Sequence, residues 1–393
     1  MITRPYHPYS NRNSKNNRFV ILIYIVSVLN ITFSVFWEGF GYLDEFLVLI
    51  LGGYAICNTS LMRLKEFRIV LGFMAFYLIY SLFWGANISQ AVVLDFFVFL
   101  KPFICFYTLY NLKATWSARF RELMKRLFLV MGIYCWCIAP FIDTIYSNTA
   151  GYYPVCTLSA ISYLYFSRQE KRDWRIALIL LLPGVLSLRS KFFTALICFI
   201  YLSFFLKDKK LTLSVRSFII ICLLAAVSLY VSFEKFSGYF ITGVDNGLAR
   251  GILYHTSFQI FGDFFPFGSG FGSFASEAAA RYYSPIYYKY GIDTTFGLSP
   301  ENYATSNNFL TDTFYPTLAE FGVFGLGLYL WFWVKQWNTA NRVFNSNYRI
   351  TLFLIFFMTI QNIADATFTS SMGVPIMMLL GMTYSDTSYK KTT

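Results

Sequence analysis

The sequence predicts an all-α polytopic membrane protein with about twelve transmembrane helices and one large external loop. Three observations lead there. Of 393 residues, 56% are apolar and only 13% charged, more apolar surface than a soluble domain of this length uses. The apolar residues fall into runs close to the roughly 20 residues that a helix needs to cross a bilayer. The basic residues lie in short clusters between alternate runs, the pattern of cytoplasmic loops. The net charge of +12 therefore belongs to membrane topology and predicts no nucleic-acid partner. An aromatic content of 21%, with 45 Phe and 30 Tyr, suits extensive lipid-facing and interfacial surface.

Taken in order, residues 1–18 carry Arg4, Arg12, Lys15 and Arg18 and no acid. The apolar run from Phe19 to Trp37 has no Ala-x-Ala-like cleavage site, so it reads as a retained first span with its amino end inside. Further spans are expected near 45–62, 69–84, 91–111, 127–142, 150–167, 174–188, 192–206, 217–234, 317–335, 350–367 and 371–386. Residues 1–233 thus form spans one to nine and residues 234–316 a large periplasmic or extracellular loop. Residues 317–393 form spans ten to twelve and a short cytoplasmic tail. With alternate loops inside, only seven of the 32 basic residues lie elsewhere: Lys101, Arg189, Lys191, Lys235, Arg250, Arg281 and Lys289. This strong bias puts both termini in the cytoplasm and the large loop outside.

The seven cysteines all fall in or beside apolar runs, and none lies in the large loop. No disulfide framework is expected to brace it. Cys135 and Cys137 have no histidine or further cysteine nearby to complete a metal site, and small buried hydrophobes describe these residues well.

Arg189 and Lys191 stand in Leu186-Ser-Leu-Arg-Ser-Lys191 at the outer end of a short span pair. Charges at membrane depth face a wet cavity or a partner. Two cations here ask for an anion, or else snorkel to outer headgroups. Asp95 and Lys101 are six residues apart on one span and do not share a helical face. Each is expected to line a cavity or to bond a neighbouring helix, as is Asp365 near the end of the eleventh span.

In the loop, Arg250 opens an amphipathic segment in which Arg250 and Tyr254 are one turn apart, suited to the membrane surface. Gly268, Gly270 and Gly272 follow Pro266; they make either an ordinary turn or amides close to a phosphate. Tyr254, Tyr282 and Tyr287 offer flat rings for sugars, or equally for an interfacial belt. Asp312, shortly before the tenth span, is either a general base or a helix cap. His255 is the one other candidate base in the loop, and Glu320 would enter the span and pair there.

Three of these pieces resemble the O-antigen polymerase (Wzy) and O-antigen ligase superfamily. They are the serine–arginine element Ser187-Leu-Arg189-Ser190, the segment from Arg250 to Phe264-Phe-Pro266-Phe-Gly268-Ser-Gly270, and Thr311-Asp312 through Ala319-Glu320-Phe-Gly322-Val-Phe-Gly325. The likeness covers the second half well and the first half as topology. Ligases commonly carry a histidine at the polar pair, where this chain has Thr311-Asp312, so the resemblance favours a polymerase.

It implies a glycosyltransferase with a GT-C-like helical architecture in the bacterial inner membrane. The enzyme would move a growing glycan from undecaprenyl pyrophosphate to the next lipid-linked repeat. Arg189 and Arg250 would clamp the pyrophosphate with Lys191 as auxiliary, and Asp312 or His255 would take the acceptor proton. Tyr254, Tyr282 and Tyr287 are the candidate sugar contacts. Arginine suits the clamp because its planar fork grips phosphate oxygens and stays charged. No metal and no other cofactor is expected. The partners are membrane lipid, the lipid-linked oligosaccharide and a separate chain-length regulator. A ligase is the nearest alternative. A lipid-linked oligosaccharide flippase is another, although no internal repeat of the transporter kind is visible.

Overall fold

The computed structural model describes residues 11–33, 43–58, 61–112, 116–142, 151–206, 210–211, 237, 247–302, 309–310 and 313–385. The expected ninth span at 217–234, Lys235, and the candidate base Asp312 with Thr311 lie outside the described residues.

The architecture is all-α, with no strand among the described residues. The helices are α1 (Asn11–Phe33), α2 (Leu43–Asn58), α3 (Lys65–Trp84), α4 (Ser89–Leu112), α5 (Ala118–Ile138), α6 (Tyr152–Phe166), α7 (Lys171–Leu181) and α8 (Ser190–Ile200). The loop supplies α9 (Ala249–Asp263), α10 (Glu277–Arg281) and α11 (Pro285–Lys289). The chain then ends on α12 (Phe314–Val343), α13 (Tyr348–Ala364) and α14 (Gly373–Ser385).

Four of the described helical segments are long and apolar enough to cross a membrane: Lys65–Trp84, Ser89–Leu112, Ala118–Phe141 and Pro316–Val343. Arg18–Phe33, Ser190–Phe205, Tyr348–Ile363 and Gly373–Tyr384 are shorter apolar helices. Among the described residues the expected count of about twelve spans is therefore not supported. Several expected spans break up physically. The seventh, for example, is the 11-residue α7 continued by the tighter 3-10 turn Leu182–Ser187, with Pro183 at its second position. The long helices present bare apolar side chains outward, among them Ile79, Phe83, Phe97, Val130, Ile133 and Val334. Surface of this kind is compatible with a membrane location.

At the centre, α4 packs against α2, α3, α10 and α14. All of α6, Tyr152 to Phe166, is buried, as expected for a helix apolar on every side. The Tyr24 hydroxyl meets Ser162 Oγ of this helix at 2.5 Å, a polar pair made across helices inside the core.

Lys101, 4% exposed, donates to Asp44 at 2.6 Å and to Glu45 at 2.9 Å, both at the start of α2. The two charges that the sequence places on α4 thus have separate jobs, since Asp95 bonds the loop instead. Lys101→Met leaves the buried Asp44 carboxylate without its cation and is expected to cost about 3–5 kcal/mol. Thermal unfolding in detergent measures this. Adding Asp44→Asn and Glu45→Gln to the same chain is expected to recover most of the loss.

The loop is a small folded unit with its own core of Leu253, Ile260, Phe274, Ala279, Ile286, Tyr287, Ile292, Leu298 and Phe309, which reaches Ala319 of α12. Its helix α9 lies on α12, and α10 lies on α4.

Candidate functional site

The glycine cluster joins loop to helices. Helix α12 is broken at Gly322, whose φ of 57° and ψ of −149° are not helical. The break turns the preceding carbonyls outward, where new donors meet them. Ser269 N donates to Ala319 O at 3.0 Å, and Gly270 N donates to Glu320 O at 2.8 Å. The Tyr77 hydroxyl donates to Phe321 O at 2.6 Å, and Val323 N turns to Pro266 O at 3.1 Å. A side chain at Gly322 would run into the Pro266 carbonyl, and one at Gly268 would stand 2.5 Å from Glu320 C. Both positions need glycine for close approach as well as for positive φ.

Two buried carboxyls complete the joint. Asp95 Oδ2 accepts from Gly272 N at 2.8 Å. Glu320 Oε1 accepts from Ser273 N at 2.8 Å and Phe274 N at 2.9 Å. Ser81 Oγ accepts from Phe271 N at 2.8 Å. The amides from Gly270 to Phe274 are thus consumed inside the protein, so this turn is a latch rather than a cradle for phosphate.

The cationic residues gather elsewhere. Arg189 is the cap residue before α8, and Lys191 lies in its first turn. The Lys191 ammonium is paired with Asp365 at the end of α13 and stands 5.6 Å from the centre of the Tyr153 ring. The Arg189 and Arg250 guanidiniums are both near enough to act on Lys191 electrostatically. Asp365 and Arg189 act in the same way on Tyr153. The Tyr153 hydroxyl donates to Gln361 Oε1 at 2.6 Å, which leaves the buried Gln361 Nε2 with no acceptor. Arg250, far along the chain from Arg189 and Lys191, is therefore brought near them, beside Asp365, Tyr153 and Gln361. In chemical terms this is a cluster of cations closed by one carboxylate, with a spare amide donor behind it. Such a set fits an oxyanion.

The remaining candidates are placed differently. His255 is exposed on α9 but lies five residues after Arg250, about 140° around the helix, so it faces away from that arginine. Tyr287 is fully buried, with Phe274, Tyr283 and Phe309 against its ring. Its hydroxyl accepts from Ala275 N at 3.0 Å, and burial pushes its pKa well up. Tyr254 is buried as well, so neither ring has a face for a sugar, and both are corrected to core residues. Tyr282, 38% exposed, keeps an open ring. On the loop surface, the Tyr290 hydroxyl and the Lys289 ammonium hold the Asp263 carboxyl below the usual carboxylate range.

Tyr153, Gln361 and the Lys191–Asp365 pairing carry no motif in the sequence. The one signal for them was Asp365, an acid near a span end that needed a partner. A second feature, a cleft of about 220 Å³, lies between the start of α2, the first half of α4, the 275–277 turn, the start of α12 and residues 366–371. No group of three or more metal-ligating side chains occurs among the described residues.

No protein-family model matches the chain, and no curated protein matches it. Function is therefore read from the site and its chemistry.

Proposed function

We propose that this chain is a membrane glycosyltransferase that polymerises lipid-linked repeat units. It moves a glycan from a polyprenyl diphosphate, undecaprenyl pyrophosphate in a bacterial inner membrane, to a hydroxyl of the next unit. The observation that carries the reading is the meeting of Arg189, Lys191 and Arg250 around Asp365. In the reaction the bond between the anomeric carbon and the diphosphate oxygen breaks, and the diphosphate leaves with the electron pair. A bond forms from the acceptor oxygen to that carbon, and the acceptor proton passes to a base. Negative charge grows on the leaving group, and fixed cations in a partly dry site stabilise it most at that stage.

Arg189, Lys191 and Arg250 supply the positive charge for this work, with Gln361 Nε2 an additional donor. Asp312, close in sequence to the cleft residues Leu310 and Thr313, is the proposed base, on the outer side of the membrane with both termini inside.

The test is elongation of a defined polyprenyl-diphosphate repeat by purified protein. A ladder of products with released polyprenyl diphosphate is expected. Unchanged substrate, or movement of the intact lipid between leaflets of a vesicle, would contradict the reading.

A further inference from the structure

The aromatic rings along α3 give a scale of membrane depth for the loop. This helix is 20 residues long, about 30 Å, the thickness of a hydrocarbon core. It starts at the basic Lys65 and ends at Trp84, which is 69% exposed, as suits a tryptophan at the membrane boundary. Tyr80 and Phe76 lie one and two turns further in, about 6 and 12 Å below Trp84. Phe267 of the loop meets both of them. Its ring centre is 5.7 Å from that of Tyr80 and 6.0 Å from that of Phe76, and it stacks on Phe324 of α12 at 5.3 Å. The Tyr80 hydroxyl also donates to Gly268 O at 2.9 Å. The 265–267 turn therefore passes the boundary and reaches the level of the apolar side chains of α3. Phe265, at the same turn, is 65% exposed, and Phe261 of α9 stands beside it with ring centres 5.7 Å apart.

The opposite flank of α9 is polar. Gln259 and Asp263 are exposed there, and Asp263 pairs with Lys289 and accepts from the Tyr290 hydroxyl. Phe261 and Asp263 point about 160° apart around the helix. One flank thus suits apolar surroundings and the other suits water, the division found in helices seated at a membrane interface.

We infer that Phe261, Phe265 and Phe267 form a wedge seated in the loop-side leaflet, with phospholipid acyl chains as its occupant. The wedge continues the outward apolar surface of α3 and α12, which carries Ile79 and Phe324, and a bilayer that covers those side chains covers the wedge as well. It fixes the height of the loop unit over the bilayer. This inference rests on the membrane placement of α3 and is independent of the reaction proposed above.

The test places the photoreactive residue p-benzoylphenylalanine singly at Phe265, at Ile79 as a lipid-facing reference and at Gln259 on the polar flank. The full-length protein is reconstituted in vesicles of phosphatidylethanolamine and phosphatidylglycerol. After irradiation, mass spectrometry measures adducts to acyl chains. Position 265 is expected to label lipid within about twofold of position 79, and position 259 roughly fivefold or more below both. Labelling at 79 without labelling at 265, equal labelling at 259 and 265, or a crosslink from 265 to a second copy of the chain in place of lipid would overturn the wedge. No lipid label at 79 would remove the membrane placement of α3, and the wedge with it.

Discussion

Replacing Glu320 with alanine is expected to release the loop unit from the helices. The side chain is fully buried and accepts from two amides, Ser273 N and Phe274 N. Without it both N–H groups stay buried and unpaired, at about 1–3 kcal/mol each. The sum, on the order of 2–6 kcal/mol, is comparable with the whole stability of an ordinary domain. Limited proteolysis of residues 247–302 measures the effect, and the alanine variant is expected to be cut much faster than the parent. Glu320→Gln keeps an acceptor oxygen at the same place and is expected to lose far less. Equal resistance of the parent and the alanine variant would show that the latch lies elsewhere. The loss of glycan transfer expected in Glu320→Ala is thus a loss of architecture, and glutamine rescue separates it from chemistry.

Asp365→Asn is expected to act in the opposite sense on ligand binding. In the unliganded protein the Asp365 carboxylate occupies the Lys191 ammonium and competes with any incoming oxyanion. Removing its charge frees that ammonium, and affinity for inorganic pyrophosphate is expected to rise roughly tenfold, about 1.4 kcal/mol. Stability without anion is expected to fall by about 1 kcal/mol, a modest figure because Asp365 is 35% exposed and solvent screens the pair. Lys191→Met is expected to weaken pyrophosphate binding by a similar factor. Calorimetric titration of both variants decides the matter, and equal affinities in the two would remove Lys191 and Asp365 from the site.

Much of this was legible in the sequence where a rule of composition or charge applied. The helical class follows from the apolar runs, Arg189 and Lys191 at a span end asked for an anion, and the family resemblance added Arg250 to them. The count of about twelve spans is not supported among the described residues, because hydropathy cannot see where a run is broken. The stretch around Pro183, for example, turns into a tighter helix. The glycine cluster looked equally suited to phosphate or to a turn, since only the partners of its amides distinguish the two. Those partners, Asp95 and Glu320, sit 177 and 47 residues away from the amides they bind. Tyr287 was misjudged for a related reason. A tyrosine in a surface loop is exposed only if the loop lacks a core, and this loop has one.

The central claim is that guanidinium groups from two distant segments hold one diphosphate. The most direct measurement is equilibrium binding of a short polyprenyl diphosphate to the purified protein and to Arg189→Ala, Arg250→Ala and the corresponding lysine variants. Each alanine variant is expected to bind at least roughly tenfold more weakly, and lysine to restore only part of the loss, because a point charge cannot replace the planar fork. Unaltered binding in both alanine variants, with the fold intact, would contradict the account.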